Sequence, residues 1–189
     1  MRILSRSIFA GVRDARAISM RAVRYVALAI VLGACSNPGT GAAVVASGTP
    51  VVVKASNVEA RIALAADHSS GGREIGVAVD FVVGPGWHIY GEPLPAGEGL
   101  TPTSIKFDGD LVAGQKVDMP KPTPLRFAAL NETYPVYEGS FKAAGKIVLA
   151  QKLKAGDYSI TGTLNFQECN DAICKMPQSV HFELPIKID

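Results

Sequence analysis

Four stretches of this chain place apolar side chains at every second position. In "NVEARIALAA", Val58, Ala60, Ile62 and Leu64 alternate with Glu59 and Arg61. "EIGVAVDFVV" repeats the pattern through Ile75, Val77, Val79, Phe81 and Val83. "DYSITGTLNFQ" sets Tyr158, Ile160, Leu164 and Phe166 on one side. "SVHFELPIKI" sets Val180, Phe182, Leu184, Ile186 and Ile188 opposite His181, Glu183 and Lys187. A strand turns successive side chains to opposite faces, so a period of two predicts half-buried strands in antiparallel sheets. No segment keeps a helical period over three turns.

Shorter strands are expected at Ser104–Phe107 and Lys146–Ala150. The turn signals "SSGG", "GPG", "DGD", "KPTP" and "KAGD" separate the runs. Many short strands with Gly/Pro-rich connections predict an all-β fold, an immunoglobulin-like antiparallel β-sandwich of two sheets. The 189 residues, 48% of them hydrophobic, suffice for one such domain.

The net charge of +2 is misleading. Residues 1–35 hold six arginines and one acid, and the remainder carries 13 basic and 16 acidic side chains, a net −3. A mildly acidic body without a basic run gives no footprint for nucleic acid.

The first 35 residues have the layout of an export signal. In "MRAVRYVALAIVLGAC", Arg21 and Arg24 precede an apolar run from Tyr25 to Ala34, which is too short to span a bilayer. "LGAC" resembles a lipobox, which predicts lipidation at Cys35 and attachment of a bacterial envelope protein to a membrane; the alternative is a plain signal peptide with an incidental cysteine. Met20 gives a more compact start than Met1. The polar "SNPGTG" that follows fits a tether. The expected organisation is therefore a lipoprotein signal over 1–35, a linker over 36–49 and a β-domain over 50–189.

Lipidation of Cys35 leaves Cys169 and Cys174 as one pair in "NFQECNDAICKMPQ". They fall in the connection between the last two strong strands. A bridge between them closes a loop of six residues, worth about 2 kcal/mol in the chain-entropy model. That is weak for a staple, although secreted proteins use many small structural bridges. Glu168 and Asp171 disfavour thiolate nearby, and Lys175 favours it at Cys174. Metal binding is a third reading, with Cys169, Cys174, His88, His181, Met119 and Met176 as soft donors. No second short-spaced Cys or His pair supports a zinc site; copper held by Cys, His and Met is the remaining metal alternative, and the expectation is no metal. No phosphate loop, Ser-His-Asp order or paired-carboxylate signature stands out.

Three segments resemble the periplasmic N-terminal domain of the thiol:disulfide interchange protein DsbD. "GPGWHIYGEPL" (84–94) is similar to that family's aromatic strand-and-turn block. "YPVYEGSFKAAGKIVL" (134–149) is similar to its segment leading through a Tyr into a strand. "FQECNDAICKMPQSVHFELP" (166–185) is similar to its active-site hairpin, and is the most specific of the three. The resemblance covers about residues 51–188.

The resemblance implies an immunoglobulin-like sandwich whose cysteines act as a thiol–disulfide oxidoreductase of the protein-disulfide reductase type, without a cofactor. Electrons come from a thioredoxin-like domain reloaded by a membrane electron-transfer protein. They pass to periplasmic thioredoxin-fold isomerases and cytochrome c maturation proteins. It implies that Cys174 forms the mixed disulfide and Cys169 resolves it. It also implies a cap over the pair within "RFAALNETYPVY". Glu132 is expected there as the acid and Tyr134 as the shielding aromatic, with Phe127 and Leu130 beside them. Trp87, His88 and Tyr90 are expected to pack near the hairpin, with core packing the alternative for Trp87. The rival to this whole reading is a non-catalytic envelope binding module in which Cys169–Cys174 is a staple.

Overall fold

The computed structural model describes residues 47–127 and 131–189. Every regular element among them is a strand. In chain order these are β1 (Val51–Lys54), β2 (Val58–Leu64), β3 (His68–Ser69), β4 (Glu74–Val83), β5 (His88–Tyr90), β6 (Ser104–Asp108) and β7 (Val112–Asp118). They continue as β8 (Thr123–Phe127), β9 (Glu132–Tyr137), β10 (Ser140–Leu149), β11 (Gly156–Phe166), β12 (Glu168–Cys169) and β13 (Gln178–Ile188). Ser47 and Gly48, in the stretch read as linker, hydrogen-bond to the carbonyls of Ala65 and Leu64.

Two sheets form the sandwich. One has the order β1-β2-β4-β10-β7 and the other β3-β13-β11-β6. The alternating residues of β2 and β4 are buried, as are Ile160, Leu164 and Phe166 of β11 and Phe182, Leu184, Ile186 and Ile188 of β13. They meet in one core between the sheets. The fold is the expected all-β, immunoglobulin-like sandwich. All strand pairs are antiparallel except the short β3–β13 pair.

Gly162 interrupts the apolar alternation of β11. A Cβ there would collide with the Phe182 ring, so the gap makes room for an aromatic from β13. The β10 strand begins at Ser140, well before the expected Lys146. Its inward residues run Phe141, Ala143, Gly145, Ile147 and Leu149. The small ones mute the hydrophobic signal, although Phe141 stacks on Phe81 at 4.6 Å.

A third, smaller sheet, β12-β5-β9-β8, lies outside the two-sheet expectation. Its strands are short and two contain proline, which hides them from a pattern search. "KPTP", read as a turn, runs into β8, where Pro124 pairs with Pro135 of β9. An edge strand such as β8 tolerates proline because its outer N–H groups have no ladder partner. The "GPG" signal does mark a turn. Gly86 takes the left-handed conformation (φ 75°), Trp87 N–H donates to the Gly84 carbonyl, and the chain turns into β5.

Candidate active site

The small sheet carries the cysteine pair. Cys169, at the end of β12, pairs in register with His88 of β5. The chain then turns through 170–173 and returns. Asn170 shapes this turn: its side-chain oxygen accepts from the N–H groups of Ala172 (2.9 Å) and Ile173 (2.8 Å). Its own N–H donates to the Ile173 carbonyl, and Lys175 N–H donates to the Glu168 carbonyl. Such Asx turns pre-organise tight loops. The result sets Cys174 opposite Cys169, Cα atoms 4.1 Å apart, joined by a disulfide.

The two cysteines have unequal surroundings. Cys169 is wholly buried, in a small second core with Tyr90, Tyr134 and Val136. Cys174 is exposed. Ile173 and Met176, 57% and 79% exposed, flank it and are half of the exposed large hydrophobics among the described residues. Burial withholds one sulfur from any partner while exposure offers the other.

Aromatic side chains bound the pair on one side. The Tyr90 hydroxyl lies 3.7 Å from Cys174 Sγ. Tyr134 packs edge-on against Tyr90 (5.9 Å) and Phe127 (5.4 Å), and Phe127 packs against His88 (5.2 Å). Beside Cys174 opens a groove of about 840 Å³, lined among others by Tyr90, Leu100, Phe127, Tyr134 and Ile173. Its rim is acidic, with Glu98, Glu132 and Asp171. Arg126, also on that rim, bonds to Asn131. The Tyr134 hydroxyl donates to Glu132. That bond, the nearby Glu98 carboxylate and burial all raise the Tyr134 pKa. Burial, with help from the charge of Glu98, raises that of Tyr90. Both phenols stay protonated in the physiological range.

The base of the hairpin is held from the other face. Glu168 is buried, and its carboxylate accepts from Lys175 Nζ (2.7 Å) and Asn57 Nδ2 (2.8 Å). Burial pushes its pKa up, but these two donors outweigh it and hold the group below the usual carboxylate range. Lys175 Nζ also sits 4.4 Å from the centre of the Trp87 ring. Gln167 bridges the hairpin to the 91–103 loop, accepting from Thr101 N–H and donating to the Lys175 carbonyl, each at 3.0 Å.

The expected neighbours therefore divide into groups. His88 and Tyr90 lie beside the pair, Phe127 and Tyr134 roof it, Glu132 bonds the roof, and Asp171 lines the groove. Trp87 packs against the main core and under Lys175, away from the groove. Lys175 does not favour thiolate at Cys174 as its place in the sequence suggests. The Lys175 ammonium is committed to Glu168 and Trp87. Glu168 and Cys169 are adjacent on one strand and so face opposite ways. What distinguishes Cys174 is exposure. Leu130 and Cys35 lie outside the described residues. Of the soft donors, the cysteines bond each other, His181 bonds Thr163 on the far sheet, and Met119 lines a separate pocket. Among the described residues no cluster of three His, Cys, Asp or Glu side chains could hold a metal ion.

Sequence reasoning missed Asn57, Gln167, Glu98, Leu100 and Arg126. Asn170 carried a readable signal, since an Asn two residues before a loop N–H favours an Asx turn. Gln167 and Arg126 lie inside the cysteine and cap motifs without a pattern of their own, and Asn57, Glu98 and Leu100 reach the site through long-range folding.

Residues 56–186 match the family described as "Thiol:disulfide interchange protein DsbD, N-terminal". The chain belongs to this family. The sandwich with its cysteine hairpin is thus a DsbD N-terminal-type domain, with Cys169 and Cys174 joined as a disulfide. The N-terminal periplasmic domain of ScsB from Proteus mirabilis shares the fold, with a TM-score of 0.52 and 14% identity over 72% of this chain. The chain spans 50% of the length of that structure. The reduced DsbD N-terminal domain of Neisseria meningitidis matches with a TM-score of 0.36 and 18% identity, covering 60% of this chain and 82% of that one. No curated protein matches the sequence.

Proposed function

We propose that this domain passes electrons between a thioredoxin-like donor and disulfide-containing partners in the bacterial periplasm, by exchange at Cys169 and Cys174. The observation that carries the reading is the asymmetry of the pair. One sulfur belongs to a buried residue and the other to an exposed residue at the mouth of an aromatic groove.

In the reducing direction, the Cys174 thiolate attacks one sulfur of a partner disulfide and expels the other as thiolate. Cys169 then attacks Cys174 Sγ, releases the partner's second thiolate, and closes the internal disulfide. Two electrons and two protons have moved to the partner. A thioredoxin-like donor reverses these steps and restores the dithiol. The aromatic roof limits access to the pair and yields to a docking partner. Membrane attachment through a lipid on Cys35, with a linker to the β-domain, belongs to the same proposal and rests on the lipobox-like "LGAC".

The test is capture. In Cys169→Ser, Cys174 forms the mixed disulfide and nothing resolves it, so partner adducts accumulate on non-reducing gels of the native envelope. Cys174→Ser captures nothing. If neither variant traps a partner and both lose about 2 kcal/mol of stability, the bridge is a staple in a binding module.

A further inference from the structure

Resolution by Cys169 poses a proton problem. Its side chain is wholly buried, so water cannot take the thiol proton at the moment the thiolate must form. A buried thiol surrounded by apolar and aromatic groups also resists ionisation. The exchange chemistry needs a base on that side of the small sheet.

His88 occupies the position opposite Cys169. The two are direct partners in the β5–β12 pair, which puts their side chains on one face with Cβ atoms about 5 Å apart. His88 is 2% exposed, and its Nε2 has no hydrogen-bond partner in the oxidised protein. A buried polar nitrogen left unpaired is costly and calls for an explanation. The titratable and charged groups around it are Tyr90 on its own strand, Cys169 on β12, Tyr134 of the roof, Glu138 beyond β9 and Asp171 in the 170–173 turn. Tyr90 and Tyr134 are held protonated, and the two carboxylates act on His88 only as charges. Among the described residues, His88 is the one neutral base facing Cys169.

Resting on the exchange function proposed above, we infer that His88 is the proton acceptor for Cys169 during resolution of the mixed disulfide. In the adduct, His88 takes the Cys169 thiol proton. The resulting thiolate attacks Cys174 Sγ, the bond from Cys174 to the partner sulfur breaks, and the partner leaves as thiolate. Imidazolium returns the proton to that thiolate or to solvent. In the reverse direction the imidazolium protonates Cys169 as the internal disulfide opens. The orphaned Nε2 of the oxidised state is then the vacant end of a hydrogen bond made when Cys169 carries a proton. Burial lowers the pKa of His88, with the charges of Glu138 and Asp171 opposing in part, so the base is neutral and ready at pH 7.

The experiment uses reduced protein and 5,5′-dithiobis(2-nitrobenzoate) in stopped flow. Attack by Cys174 releases one thionitrobenzoate, and resolution by Cys169 releases a second. In wild type the second phase is flat from pH 7 to 9. In His88→Gln it slows on the order of 10²-fold at pH 7 and rises about tenfold per pH unit, while the first phase keeps its rate. A structural role slows both phases without changing their pH dependence. If His88→Gln matches wild type at every pH, or both phases slow together, the inference fails. A second measurement needs no His88 variant. The imidazole ¹⁵N resonances of His88 shift when the protein is reduced, and do not shift between oxidised wild type and Cys169→Ala. No shift on reduction overturns the inference. Wild type that releases only one equivalent overturns the exchange function together with it.

Discussion

Lys175 Nζ lies 2.7 Å from Glu168 Oε2 and ties the two arms of the cysteine hairpin together at its base. Glu168 is 1% exposed and Lys175 28%, so this pair is largely desolvated, unlike the surface pairs such as Lys142–Asp80. Removing one partner of such a pair strands the other charge. Lys175→Met should destabilise the oxidised protein by about 2–4 kcal/mol, somewhat below the cost for a fully buried pair. Lys175→Met with Glu168→Gln should recover part of that loss, since Asn57 still bonds the amide. Urea unfolding checks both. A single-variant loss under about 0.5 kcal/mol would mark the pair as an ordinary surface bridge.

Stability should fall in two acid steps. His88 has its pKa lowered from 6.5 by burial. The unfolded chain therefore binds the proton first, and stability is full above pH 6.5 and declines as pH falls below it toward the folded value. Glu168 is lowered from 4.5, because its hydrogen bonds outweigh burial, and its contribution is lost as pH falls below 4.5 through the folded value. Unfolding of oxidised protein from pH 8 to 3 should show both declines. His88→Phe should remove the upper one and Glu168→Gln the lower one. A profile unchanged by either substitution contradicts these assignments.

The roof over the pair should control access to it. Phe127 and Tyr134 pack edge to face above Tyr90, whose hydroxyl touches Cys174. Phe127→Ala and Tyr134→Ala should each speed reduction of the disulfide by a soluble phosphine and alkylation of the reduced pair, by several-fold. Tyr134→Ala should also cost about 3–5 kcal/mol as a buried aromatic truncation, so Phe127→Ala is the cleaner probe. Equal rates in wild type and Phe127→Ala would remove the roof from the account.

Cys35 should carry a lipid. Mass spectrometry of the protein purified from its native membrane should show a diacyl or triacyl group on an N-terminal Cys35. A soluble mature form beginning at another residue contradicts the anchor.

The sandwich was legible because three of its long strands obey one rule over many residues. Val58 to Leu64, Ile75 to Val83 and Phe182 to Ile188 alternate, and each apolar position is buried. The small sheet was not legible. Its strands are two to six residues long, and β9 reads Glu-Thr-Tyr-Pro-Val-Tyr, with proline where a strand search expects none. The cysteines, His88, Tyr90, Phe127 and Tyr134 were named from sequence because local motifs carry them. Asn57 and Gln167 were not, since a polar residue closing a hydrogen bond to an element 111 or 66 positions away leaves no local trace. The charges beside the cysteines misled for a related reason. Sequence adjacency put Lys175 next to Cys174, whereas the fold assigns its ammonium to Glu168.

The reduction potential of Cys169/Cys174, measured by equilibration with dithiothreitol or glutathione buffers and quantified by alkylation, separates an exchange couple from a staple. Structural bridges in secreted proteins typically lie below about −300 mV, where no thioredoxin-like donor keeps them cycling. An exchange couple with a buried and an exposed member should lie above about −300 mV, between its donor and its disulfide partners. A value well below about −300 mV would make the bridge a staple and contradict the account.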